Sequence, residues 1–116
     1  LNLRYLVESE TVYASHFYLL GALQNLLDNA VKYSGETPQI TVICYQKRGT
    51  FVIEIRDNGP GIPPEIMNEI FVPFFTTKEE GSGIGLSVSR QIMRMHGGNL
   101  KASSIEGKET VFTIII

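Results

Sequence analysis

Asn25, Asn29 and Lys32 stand four and then three residues apart in the stretch QNLLDNAVKYS, residues 24–34. At about 100° per residue the three share one stripe of a helix. Asparagine is a poorer helix former than the lysine or glutamate that usually fill a solvated face. Its amide oxygen, however, is a neutral ligand of the kind a hard cation accepts. Magnesium needs few protein ligands when phosphate oxygens and water complete its shell, so one amide would suffice and Lys32 could meet the phosphate. The simpler reading makes the stripe the wet back of an amphipathic helix, with Leu19, Leu20, Leu23, Leu26, Leu27, Ala30 and Val31 on the opposite, core-facing side. On this stretch alone both readings stand.

Three further stretches have chemistry within reach. In DNGPGIPPE, Asp57 closes a strand-like run and Gly59 and Gly61 follow. This is an ordinary Asx-type turn, or a carboxylate placed to accept from an exocyclic amine while Gly61 lets a flat ring lie on backbone. In GSGIGLS, Gly81, Gly83 and Gly85 precede a helix whose free N–H groups could hold phosphate. Its spacing is not that of the dinucleotide fingerprint, and no GK[ST] follows as in a Walker loop. In IFVPFFTTKEE, Phe71, Phe74 and Phe75 read as core or hinge aromatics, and Thr76, Thr77 and Lys78 as the edge of a lid.

The elements that must position these residues follow from pattern. LNLRYLVE and TVYA look like short strands, and Ser15 is a fitting N-cap for a helix to about Tyr33, stopped by SGETP. ITVICYQ and FVIEIR read as an antiparallel hairpin across KRG. Pro63-Pro64 could start a short helix through Ile70. Apolar spacing at Ile84, Val88, Ile92 and Met95 predicts a second long helix, with Gly97-Gly98 as its stop. NLKASSI and TVFTIII close as two more strands. Helices and strands interleave without βαβ regularity, so the expected fold is α+β: a two-layer sandwich, helices on one face of a mixed, mostly antiparallel sheet.

The chain has 116 residues, enough for one domain and one core, so residues 1–116 are read as a single domain. At 43% apolar and 19% charged residues with net charge −2, it carries no basic tract that would speak for nucleic acid. No apolar run approaches the length of a membrane span, and no signal peptide or direct membrane contact is expected. Cys44 is the one cysteine and cannot form an internal disulfide, which suits a reducing compartment. The expected location is the cytoplasm, with anchoring of a parent protein in the inner membrane left open.

Taken in order, N-x-x-x-N-A-x-K-Y, D-x-G-x-G-I, F-x-P-F-F and G-x-G-x-G-L resemble the N, G1, F and G2 boxes of the sensor histidine kinase ATP-binding domain. That domain belongs to the wider group holding gyrase B, Hsp90 and MutL, with a Bergerat-type fold. The resemblance runs from about Tyr13 to the C-terminus. The compact PFFTTKEEGSGIGLSVSRQIMRMHGG is similar to nitrogen-sensor-type kinases with a short ATP lid.

The resemblance implies ATP and Mg²⁺ as cofactors, with Asn29 on the metal and Asn25 supporting it. It places Lys32 and Tyr33 toward the phosphates, making Asn29 and Lys32 the catalytic pair. Asp57 would hydrogen-bond the adenine amino group, while Gly59, Gly61 and Ile62 shape the base pocket. Thr77, Lys78, Gly81, Ser82, Gly83, Ile84, Gly85 and Leu86 would form the lid and helix start. Thr110 occupies a position that often approaches adenine through water. The family's usual G-K-G-T is G-K-E-T here, so Glu109 departs from pattern and bears on the local turn.

Hydrolysing members of the group carry a glutamate four residues before the magnesium asparagine; position 25 is Asn, which takes no proton at neutral pH. Asp28 points about 100° away on the helix. The resemblance therefore implies γ-phosphate transfer to a histidine on a separate helical dimerisation domain, and through that domain to a response regulator. Neither His16 nor His96 has the context of a phosphoacceptor. The chain is read as a catalytic domain cut from a longer sensor, monomeric by itself. An anti-sigma-type serine kinase or a nucleotide-binding module without transfer activity are the alternatives.

Overall fold

The computed structural model describes residues 2–7, 16–75 and 85–116. Five strands, β1 (Asn2–Val7), β2 (Gln39–Lys47), β3 (Thr50–Asp57), β4 (Asn99–Ile105) and β5 (Glu109–Ile115), form one sheet in the order β1-β2-β3-β5-β4. β1 and β2 run parallel and every other pair is antiparallel, as the α+β reading requires. Two helices, α1 (His16–Tyr33) and α2 (Gly85–Met95), pack on each other and on the sheet. TVYA and the expected cap Ser15 lie outside the described residues.

Strand alternation fixes which face the helices cover. Ile53 and Ile55 of β3, Ile40 and Val42 of β2, and Phe112 and Ile114 of β5 point to one side and join Ala22, Leu26, Ala30, Met93 and Leu100 in the core. The other face carries Thr41, Glu54, Arg56 and Thr113 among smaller apolar residues. Arg56 bridges Glu54 at 3.5 Å and Glu109 at 3.2 Å there. Glu109 opens β5 opposite Ile105, and its carboxylate finds a cation.

Three local expectations change. Pro63-Pro64 starts no α-helix; Ile66, Met67 and Glu69 donate to carbonyls three residues back, ending in a 3₁₀ turn at Met67–Glu69. The bonds reach back three residues rather than four, the pattern of short 3₁₀ connecting pieces. On α2 the buried residues are Ser89 and Met93, while Val88 and Met95 are 45% and 67% exposed. The contact face is therefore turned by one residue from the apolar stripe, because small Ser89 lets α1 come close. Phe71 and Phe75 flank the core as expected, but Phe74 is 77% exposed at φ 69.

α2 ends in a Schellman arrangement: Gly97 N–H donates to Arg94 O at 3.0 Å and Gly98 N–H to Met93 O at 2.9 Å. Gly97 takes the left-handed conformation at φ 76. Gly98 then passes so close to the end of β5 that a Cβ there would sit 1.8 Å from Ile115 O.

Candidate functional site

The site starts at the end of the central strand. Asp57 continues the inward alternation of Ile53 and Ile55, so its carboxyl is buried on the helix side, opposite Ile40 on β2 and buried Thr110 on β5. Its Oδ1 accepts from Gly59 N–H at 2.8 Å. Among the described residues no cation pairs with it. Burial raises its pKa above the ordinary carboxylate value; Glu109 pushes in the same direction, and the Gly59 hydrogen bond opposes both. A carboxylate held this way is costly to the fold and is a mark of functional sites. Glu109→Gln is expected to bring the Asp57 titration midpoint down, though not to the ordinary value, because burial is the larger cause. Carboxyl ¹³C shifts followed against pH would read this; an unmoved midpoint would contradict the coupling.

The loop leaving Asp57 is fastened at both ends. Asn58 accepts from Gln39 N–H at 2.9 Å and donates to Thr37 O at 3.2 Å, tying it to the segment after α1. Further on, Ile62 N–H donates to Ser104 Oγ at 2.6 Å and Gly107 N–H to Pro60 O at 2.5 Å. Gly61 between them has φ 76, and a Cβ there would lie 2.6 Å from Ile105 O. Only glycine fits, both by conformation and by space. Ile62 packs against the core below.

The helical side is built by α1 and α2. Asn29 and Asn25 lie roughly 60° and 100° around α1 from the fully buried Leu26, not opposite it. The stripe therefore borders the core and turns toward α2, a correction to the wet-back geometry. Leu20 and Val31, expected in the core, are instead 52% and 42% exposed. Asn25 Nδ2 donates to Ser89 Oγ at 3.3 Å. A Cβ on Gly85 would lie 4.0 Å from Asn25 Cγ, so the N-terminus of α2 opens beside the amides. Asn29 is half-buried and Lys32 exposed; Leu86 rests against the core.

Asp57, Gly59, Gly61, Ile62 and Thr110 thus gather at one end of the sheet, and Asn25, Asn29 and Gly85 on the helices, both groups bordering the same core. The residues expected at Thr77, Lys78, Gly81, Ser82, Gly83 and Ile84, and the side chain of Tyr33, lie outside the described residues. Ser89, Ser104 and Asn58 were not anticipated. Each is a short polar residue whose partner is distant in sequence, and a serine within the strand-like NLKASSI was the one visible hint. A shallow depression also touches Asp57, but Thr41, Arg56, Lys108 and Glu109 wall it from the far face of the sheet. It belongs to that face, not to the glycine loop.

The family model described as "Histidine kinase-, DNA gyrase B-, and HSP90-like ATPase" matches residues 18–116. The sensor histidine kinase ZraS of Salmonella typhi is 45% identical over 98 residues, covering 83% of this chain and 21% of that protein. The signal transduction histidine-protein kinase AtoS of Escherichia coli strain K12 is 36% identical over 110 residues, covering 94% and 18%. Among solved structures, the mycobacterial sensor histidine kinase MprB superposes with a TM-score of 0.90 at 30% identity, covering 99% of this chain and 82% of that one. The chain spans about a fifth of the length of the curated relatives it matches. Among the described residues no helix is long and apolar enough to cross a membrane.

Proposed function

The chain belongs to the family of histidine kinase-, DNA gyrase B- and HSP90-like ATPases, and from that premise we propose that it is the Mg-ATP-binding catalytic domain of a sensor histidine kinase. It donates the γ-phosphate of ATP to a histidine on a separate helical dimerisation domain, which passes it to a response regulator. The work takes place in the cytoplasm, and the domain alone is a monomer. The observation that carries the reading is Asp57: a buried carboxylate with no cation paired to it among the described residues, beside a glycine loop that leaves no room for a side chain.

The residues present fit the nucleotide. A buried carboxylate is the acceptor an adenine amino group needs, and Gly61 leaves flat backbone where a side chain would intrude. On the helices Asn29 would hold the metal and Lys32 would meet phosphate, and the N–H groups opening α2 would favour the same anion. Magnesium brought with the nucleotide offsets charge on the transferring phosphate. The protein's own part is positioning. Asn25 cannot serve as a base for water, and its amide is already engaged with Ser89. Transfer is therefore favoured over hydrolysis.

Calorimetric titration with Mg-ATP, with GTP as control, tests the binding. Asn29→Ala is expected to weaken Mg-ATP by roughly tenfold, about the worth of one ligand contact to a charged group. In EDTA the variant and the parent should bind nucleotide alike. An Asn29→Ala domain with full magnesium-dependent affinity would remove Asn29 from the metal. Labelled ATP mixed with a matching histidine hairpin domain then tests transfer; no phosphorylated hairpin would leave a binding module.

A further inference from the structure

Ser104 sits on β4, across from Thr110, and faces the loop that carries the glycines. Its hydroxyl donates to Glu109 O at 2.8 Å. That carbonyl can only accept, so it fixes the hydroxyl proton and turns the Ser104 lone pairs toward Ile62 N–H, 2.6 Å away. Gly107 N–H donates to Pro60 O at 2.5 Å on the other side of Gly61. Three consecutive residues, Pro60, Gly61 and Ile62, are thus seated on the β4–β5 hairpin by one hydrogen bond, one close backbone approach and another hydrogen bond.

We infer that Ser104 is a positioning residue for base recognition: its two-way hydroxyl bridge sets the glycine loop, and with it the distance between Asp57 and the edge of the bound purine. The inference rests on the adenine-nucleotide reading above. Asp57 is covalently continuous with the loop and shares Thr110 and Glu109 with the hairpin, so a loop that lifts off the hairpin carries the recognition geometry away with it. Serine is suited to the place because one small group serves both a donor and an acceptor that would otherwise lose their partners.

The test compares the wild-type domain, Ser104→Ala and Ser104→Thr in calorimetric titrations with two magnesium complexes: ATP, and purine riboside triphosphate, which lacks the exocyclic amine. The expected result is that Ser104→Ala narrows the preference for ATP over the analogue about tenfold, while Ser104→Thr, which keeps the hydroxyl, restores it. A purely structural role would lower both affinities together and leave the preference unchanged; that outcome, or no change in either affinity, overturns the inference. Should Ser104→Ala fail to fold, Ser104→Cys keeps the volume with a weak donor and must narrow the preference in the same sense. A wild-type domain that binds ATP no better than the analogue would instead defeat the Asp57 assignment, and this inference with it.

Discussion

Asp57→Asn is expected to lose Mg-ATP affinity by roughly 100-fold, about 3 kcal/mol, the worth of a charge-assisted hydrogen bond plus a mismatched donor. Its fold should be as stable at neutral pH as the parent's, or more so. The asparagine oxygen can still take the Gly59 N–H, which leaves the amide N–H₂ facing the adenine amine, donor against donor. The stability half follows from the raised pKa. The folded chain holds that proton more tightly than the unfolded chain, so ionised Asp57 costs stability at neutral pH. The cost fades as pH falls through the folded-state value. Chemical denaturation of both proteins at pH 7 and near pH 4 reads this directly: any advantage of the variant at neutral pH should shrink in acid. A variant that binds as the parent does would show that the carboxylate does not hold the base.

Gly98→Ala is expected to do the reverse, weakening the fold far from the carboxylate. The added Cβ would lie 1.8 Å from Ile115 O, 2.8 Å from Ile115 C and 3.0 Å from Ile116 Cα, all backbone atoms. No side chain can swing aside. The end of β5 is itself pinned, since Ile116 and Phe51 exchange both backbone hydrogen bonds at 2.9 Å. Something must move by about 1 Å through a paired strand, and overpacking of this kind costs about 3 kcal/mol. For a domain of this size the melting temperature should fall by roughly 10 °C or more. Gly97→Ala supplies the contrast. It pays only for the left-handed backbone, with nothing near the new methyl, and should cost about 1 kcal/mol. Equal melting temperatures for the two variants would contradict the packing described at Gly98.

How much of this could be read from the residues differs from place to place. β3 was legible because Phe51, Ile53 and Ile55 alternate with polar neighbours, and period 2 is hard to mistake. The same alternation, carried two residues further, buries Asp57. α2 was legible as a helix but not in its orientation. An apolar stripe at Val88 and Met95 points to a core, whereas buried Ser89 answers to a hydrogen bond from Asn25 that no hydrophobic pattern encodes. The amide stripe of α1 was legible as a stripe, with Leu23, Leu26, Leu27 and Ala30 on the core side, but not in how near the core it runs. Half-buried Asn29 borders the core, and a two-way division into wet and dry faces has no room for a border. Ser104 stayed invisible because its partners, Ile62 and Glu109, meet only after the glycine loop folds back on the hairpin.

The order of strands has a bearing on when the domain first becomes competent. β2–β3 and β4–β5 are hairpins that close over short stretches of chain, but Asp57 and Thr110 face each other only where β3 joins β5. That union spans the whole middle of the sequence and has the larger entropic barrier to closure. A chain emerging from the ribosome with its first hairpin made already carries the carboxylate, yet nothing for a purine to lie in. Nucleotide capture is thus a property of the finished sheet, and a half-made one offers a purine no bed.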